Sequence, residues 1–110
     1  MTIDELKAFL LEHDPKLKKY FYAGSDPSYT IWEPHHRQTW MSDNASDDVL
    51  IKVTINRYTK DDGDTVADEI YNALEALRVP LDEMITTYDP EDGYFRHIIE
   101  CYVALTKEVT

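Results

Sequence analysis

Residues 49–77, VLIKVTINRYTKDDGDTVADEIYNALEAL, decide the fold, because the spacing of their apolar residues changes partway along. Val49, Ile51, Val53 and Ile55 alternate with Lys52, Thr54 and Asn56, the two-residue period of a strand with one face toward a core. From Val66 onward the period becomes helical, with Val66, Ile70, Ala73, Leu74 and Leu77 forming one stripe. The break between them, DDGD at 61–64, has turn and cap chemistry. Asp64 or Thr65 can cap the helix, and Asp68 and Glu69 fall in its first turns, where the helix dipole favours anions. Pro80 stops it. A strand over 49–59 followed by a helix to about 77 is therefore expected.

Downstream, two strands are expected at 83–88 and 94–106, joined by the glycine-containing turn DPEDG. In the second of these, His97, Ile99, Cys101, Val103 and Leu105 share one face, with Arg96, Glu100 and Thr106 on the other. Upstream, Thr2 and Glu5 have the spacing of a capping box, and Ile3, Leu6, Phe9 and Leu10 predict a helix over 3–13. Asp14-Pro15 ends it, with a short second helical turn expected from Lys16 to Tyr20. After the turn segment AGSDPS, Tyr29–Trp32 predicts a strand stopped by Pro34, and Thr39–Met41 the start of the returning strand. The stretch PHHRQ becomes the tip of a hairpin arm, and 42–48 a polar, acidic loop. The expected order is α-β-β-β-α-β-β. Residues 1–110 then form a single α+β domain, two helices on a mostly antiparallel sheet of about four to five strands.

Composition narrows the function. Apolar residues make up 43% of the chain and aromatics 12%, enough for a packed core. No run of about 18 apolar residues exists, so no membrane partner is expected. The acidic, amphipathic start MTIDELKAF lacks signal-peptide chemistry, and a single cysteine, Cys101, cannot make an internal disulfide. Assembly inside a cell is the expectation. Eleven Lys and Arg stand against 22 Asp and Glu, a net charge of −11. That disfavours gripping duplex DNA, which requires clustered cations. The dense basic patch is KLKK at 16–19.

The most chemically loaded stretch is WEPHHRQTW at 32–40, which holds both tryptophans and two of the four histidines. Adjacent His35 and His36 diverge in an extended chain and cannot readily share an ion. His97 and Cys101 lie four residues apart, about 13 Å on one strand at ~3.3 Å per residue, too far to chelate together. Neither acidic loop fits a calcium loop, because placing Gly63 or Gly93 at the required glycine puts Tyr58 or Tyr88 where the first acid belongs. Cys101 falls mid-strand on an apolar face, where a cysteine behaves as a small hydrophobe. The three glycines are not clustered into a phosphate loop. No catalytic residue, metal or cofactor is expected, and the helix face of Asp68, Glu69, Asn72 and Glu75 reads as solvated.

The run from Val49 to Leu77, then a methionine-containing strand, the turn DPEDG and the closing strand YFRHIIECYVAL, resembles the tail terminator or tail-completion proteins of long-tailed bacteriophages. These are also described as head–tail joining or minor capsid proteins. TIWEP resembles their early strand, and the likeness covers about residues 3–107. It implies a non-enzymatic virion protein of the neck, assembled in the bacterial cytoplasm. It implies a ring of copies, usually a hexamer, that caps the tail tube and meets both the tail-tube protein and the head-completion or connector protein. Genome DNA would pass through the lumen without specific binding, and an acidic lumen repels phosphate. The histidine–tryptophan segment has no counterpart in the resemblance. Trp32, His35, His36, Arg37, Trp40 and Tyr29 are the candidate interface residues, since aromatics dominate interface energetics. The alternative class is a small acidic regulator or DNA mimic that binds a basic partner.

Overall fold

A computed structural model of the chain describes residues 1–40 and 49–104, and the side chains of residues 1–35 and 50–104. Its elements are α1 (Ile3–His13), β1 (Lys18–Lys19), β2 (Ser28–Trp40), β3 (Val49–Thr59), α2 (Val66–Ala76), β4 (Ile85–Asp89) and β5 (Tyr94–Ala104). The five strands form one mixed sheet in the order β1-β2-β3-β5-β4. Every pairing is antiparallel except β1 with β2. The α+β class and the element order are those the sequence implies.

α1 starts as its sequence dictates. The Thr2 hydroxyl accepts from the Glu5 N–H, and the Glu5 carboxylate accepts from the Thr2 N–H. Of the two cap candidates at α2, Asp64 supplies the bond: its Oδ1 accepts from the Val66 N–H at 2.9 Å, while the Thr65 hydroxyl makes no capping bond and donates to Glu69 at 2.8 Å. α2 also ends before Pro80. Arg78 adopts a left-handed φ of 60°, its N–H reaches the Glu75 carbonyl, and the Val79 N–H reaches that of Leu74. This is a Schellman cap with arginine where glycine is usual. The early ending leaves Leu77 exposed, so the buried stripe is Ala67, Ile70 and Leu74 instead of the one running on to Leu77.

The core lies between the helices and one sheet face. Leu6 and Leu10 of α1 and Ile70 and Leu74 of α2 meet Trp32, Ile51, Val53, Ile55, Ile99, Cys101 and Val103. Those sheet residues share one face through the register pairs Trp32–Ile55–Ile99 and Val53–Cys101. The core-facing alternation read at Ile51, Val53 and Ile55 is the alternation observed, and the Val49 side chain lies outside those described.

Three expectations about residues 16–41 are corrected. The short turn at Lys16–Tyr20 is a strand, β1, whose Lys18 and Lys19 pair with Ile31 and Trp32. Tyr20 then takes a φ of 67° and donates its N–H to the Trp32 carbonyl, which continues strand pairing and turns the chain away. The strands expected at 29–32 and 39–41 are one strand, β2, of thirteen residues. PHHRQ is therefore not a hairpin tip, and Trp40 closes a strand instead of opening one. Pro34 does not end the pairing: it faces Val53, and the register shifts between Pro34 and Gln38, which faces Ile51. An irregularity of this kind is where a strand tolerates a residue without an N–H. The expected loop at 42–48 and the strand positions at 105–106 lie outside the described residues.

Candidate interaction surfaces

With both helices on one side, the opposite sheet face carries Tyr29 and Glu33 of β2, Thr54, Asn56 and Tyr58 of β3, and Tyr94, Arg96 and Glu100 of β5. Two polar chains cross it. Asn56 donates to Glu33 at 3.0 Å and accepts from Arg96 Nε at 3.1 Å. The Thr54 hydroxyl donates to Glu100 at 3.2 Å, and the His35 ring approaches that hydroxyl at 2.8 Å through Nε2. A hydroxyl has one proton to give, so His35 Nε2 carries the hydrogen and Thr54 accepts it. Lys52 pairs with Glu100 at 3.3 Å, and that hydrogen bond and charge raise the Lys52 pKa above its ordinary value.

One end of this face is aromatic. Tyr29 stacks on Tyr58 with ring centres 4.9 Å apart, and Tyr22 and Tyr94 close the group at 4.7 and 5.6 Å from Tyr29. The Tyr94 hydroxyl donates to the Asp26 carbonyl, fixing the turn before β2 to β5. Burial first, and then the neighbouring Tyr94 and Tyr58 phenols, raise the Tyr29 pKa. Beside the cluster a shallow depression of about 310 Å³ is lined by Tyr58, Thr87, Asp89, Asp92, Tyr94 and Arg96.

The same end of the sheet is acidic. Ser28 faces Thr59, Thr59 faces Phe95, and Phe95 faces Tyr88, so the segments leaving these positions lie together. They carry Asp26, Asp61, Asp62, Asp89, Glu91 and Asp92. The opposite end holds the start of α1 and the distal part of β2.

The sequence-derived interface residues separate on this scaffold. Trp32 is 4% exposed and packs in the core, so its ring is no surface anchor. Tyr29 is half-buried within the tyrosine cluster, and His35 is exposed on the helix-free face. His36, Arg37 and Trp40 lie on β2, with side chains outside those described. His97 takes up a hydrogen bond with Thr86 at 2.8 Å. Cys101 is fully buried, and burial pushes its thiol up to about 12, far from a reactive thiolate. Among the described residues no three His, Cys, Asp or Glu side chains gather as a metal site. No helix among the described residues is long and apolar enough to cross a membrane.

Sequence reading missed the buried cation. Arg57 is 7% exposed on the helix-covered face, donating to Asp14 at 3.2 Å, Thr30 at 3.1 Å and Asp64 at 2.8 Å. The signal was present: Arg57 continues the odd-numbered alternation from Ile51 to Ile55, and Asp14 and Asp64 flank the two helices. No protein-family model matches the chain, and no curated protein matches it.

Proposed function

We propose that this chain is a non-enzymatic structural protein of a long-tailed phage, which assembles as a ring, caps the tail tube and joins it to the head. The observation that carries this reading is the run of residues from Val49 to Ala104: a strand, an acidic break, a helix, and a hairpin closed by DPEDG. That order resembles the tail-completion proteins. Two features support it. Among the described residues, Cys101 is buried, with burial raising its pKa to about 12, and His97 and His35 each share a hydrogen bond with a threonine hydroxyl, which is compatible with a structural role. The charge of −11, concentrated in part at one end of the sheet, suits a mouth through which DNA passes without being held.

Light scattering on the chromatographed chain, alone and mixed with the candidate tail-tube protein, tests the reading. A closed oligomer in either sample is the expected result. A monomer or dimer that ignores the tube protein and binds a basic DNA-binding partner would instead establish the acidic-mimic alternative.

A further inference from the structure

The two edges of the sheet carry opposite charge and matching apolar groups. At one edge, β1 presents Lys18 and Lys19, preceded by exposed Lys16 and followed by Phe21, which is 73% exposed. None of these lysines forms an ion pair with a carboxylate among the described residues. At the other edge, β4 pairs with β5 and with no other strand among the described residues, and all five of its residues are exposed. Ile85 and Tyr88 are 57% and 53% exposed there, and the exposed acids Glu83 and Glu91 flank the strand.

An unpaired strand edge is a template for another strand, and proteins commonly blunt such edges with charge. Like charge on both edges would block every pairing. Opposite charge blocks only two: β4 against β4 sets acid on acid, and β1 against β1 sets lysine on lysine. The remaining pairing, β4 of one copy against β1 of the next, sets acid on lysine and brings Ile85 and Tyr88 toward Phe21. Its direction also fits. β1 runs with β2 and β5, while β4 runs against them, so two copies placed side by side in the same orientation meet as antiparallel strands.

We infer that copies of this chain join head to tail through these edges, β4 of one extending the sheet of the next at β1. Such a contact joins different patches and propagates, closing into a ring when the rotation per copy allows. It turns the acidic end of every copy to the same rim. The inference rests on the ring reading for its closure, and on the edge chemistry for the identity of the contact.

Two charge-reversed chains test it: Lys16→Glu with Lys19→Glu, which sets new carboxylates at the lysine edge, and Glu83→Lys with Glu91→Lys, which sets lysines at the acidic edge. Among the described residues none of the four side chains holds a hydrogen bond or ion pair, although Lys19 lies over the Tyr20 and Trp32 rings at 5.3 and 5.7 Å. Light scattering at concentrations up to about millimolar should find wild type assembled, each reversed chain monomeric, and their equimolar mixture assembled with alternating copies. Assembly of both reversed chains alone would overturn the edge contact while leaving the ring intact. A wild type that stays monomeric at every concentration, alone and with the tail-tube protein, would overturn self-association itself. Thermal unfolding of both variants close to wild type confirms that the monomers remain folded; a variant that unfolds is replaced by Phe21→Ser, which the inference expects to weaken assembly.

Discussion

Arg57 and Asp64 meet at 2.8 Å with their side chains only 9% and 8% exposed. With Asp14 at 3.2 Å on the same guanidinium, this pair ties β3 to the end of α1 and the start of α2. Arg57 Nε is buried without a hydrogen-bond partner among the described residues, so the site is not fully satisfied. A buried ion pair adds little over a well-packed apolar substitute, but removing one partner strands the other's charge. Arg57→Ala leaves two carboxylates facing each other in a dry site. Urea unfolding should show a loss of about 3–5 kcal/mol, and a loss below about 1 kcal/mol would mean that the carboxylates find water or other partners.

The same pair sets an acid limit. Burial pushes the Asp64 carboxyl up, but the Arg57 hydrogen bond, the Val66 N–H and the Arg57 charge outweigh it and hold the value below the ordinary one. The unfolded chain has an Asp near pKa ~3.9. The stabilisation is therefore complete above about pH 4 and is lost as pH falls through the lowered folded value. Asp64→Asn should flatten that acid limb of stability against pH; an unchanged limb would assign it to other carboxylates.

Cys101 gives the opposite limb. In the unfolded chain a thiol ionises near pH ~8.5. In the fold, burial holds it protonated up to about 12. The folded chain thus keeps the proton that the unfolded chain loses, and stability falls as pH rises through this window. At pH 8 native protein should react with iodoacetamide far more slowly than urea-unfolded protein. Equal rates would place the thiol at the surface.

Arg78 stands where the helix cap favours glycine, at a φ of 60°. Its side chain is exposed, so Arg78→Gly relieves the left-handed penalty without opening a hole. Glycine's larger freedom in the unfolded chain offsets part of the gain, leaving about 0.5–1 kcal/mol in favour of the variant. Destabilisation in thermal melts would show that the Arg78 side chain holds a contact worth more than the strain.

Trp32 and His35 share one short sequence and differ in consequence. Trp32→Ala empties a core site and should cost about 3–5 kcal/mol. His35→Ser removes an exposed ring and one bond to Thr54, and should stay within about 1 kcal/mol. Comparable losses in denaturant titrations would contradict the two-sided reading of β2.

Local patterns made much of this legible. The period-two run at Ile51–Ile55, the capping box at Thr2–Glu5 and the turn DPEDG each encode their element within a few residues, and each appears where read. Residues 28–40 resisted because proline and adjacent histidines argue for a turn by local propensity. The pairing of β2 with β3 along both halves overrides that preference, with the shifted register between Pro34 and Gln38 absorbing the mismatch. Lys18 and Lys19 were opaque for a related reason: a two-residue parallel strand has no period to read, and only its neighbour Ile31–Trp32 defines it. The Arg57 site depends on three segments meeting, which no local window contains. Leu77 was misplaced because α2 ends at Ala76 and the chain turns away at Arg78, and a non-glycine Schellman cap leaves no sequence mark.

The stretch WEPHHRQTW is thus part of the sheet itself: a core-facing Trp32, a half-buried Glu33 held by Asn56, a buried Pro34, and an exposed His35. Apart from the pairing of β1 at Ile31 and Trp32, its outer edge meets no other strand among the described residues.

Under the proposed function, this chain completes a phage tail and joins it to the head. Electron microscopy of particles made by the encoding phage after removal of the gene tests it most directly. The proposed role requires filled heads apart from tails, with tubes of irregular length, and recovery of joined particles when the chain is supplied in trans. Intact particles with tails of normal length in the absence of the chain would contradict it.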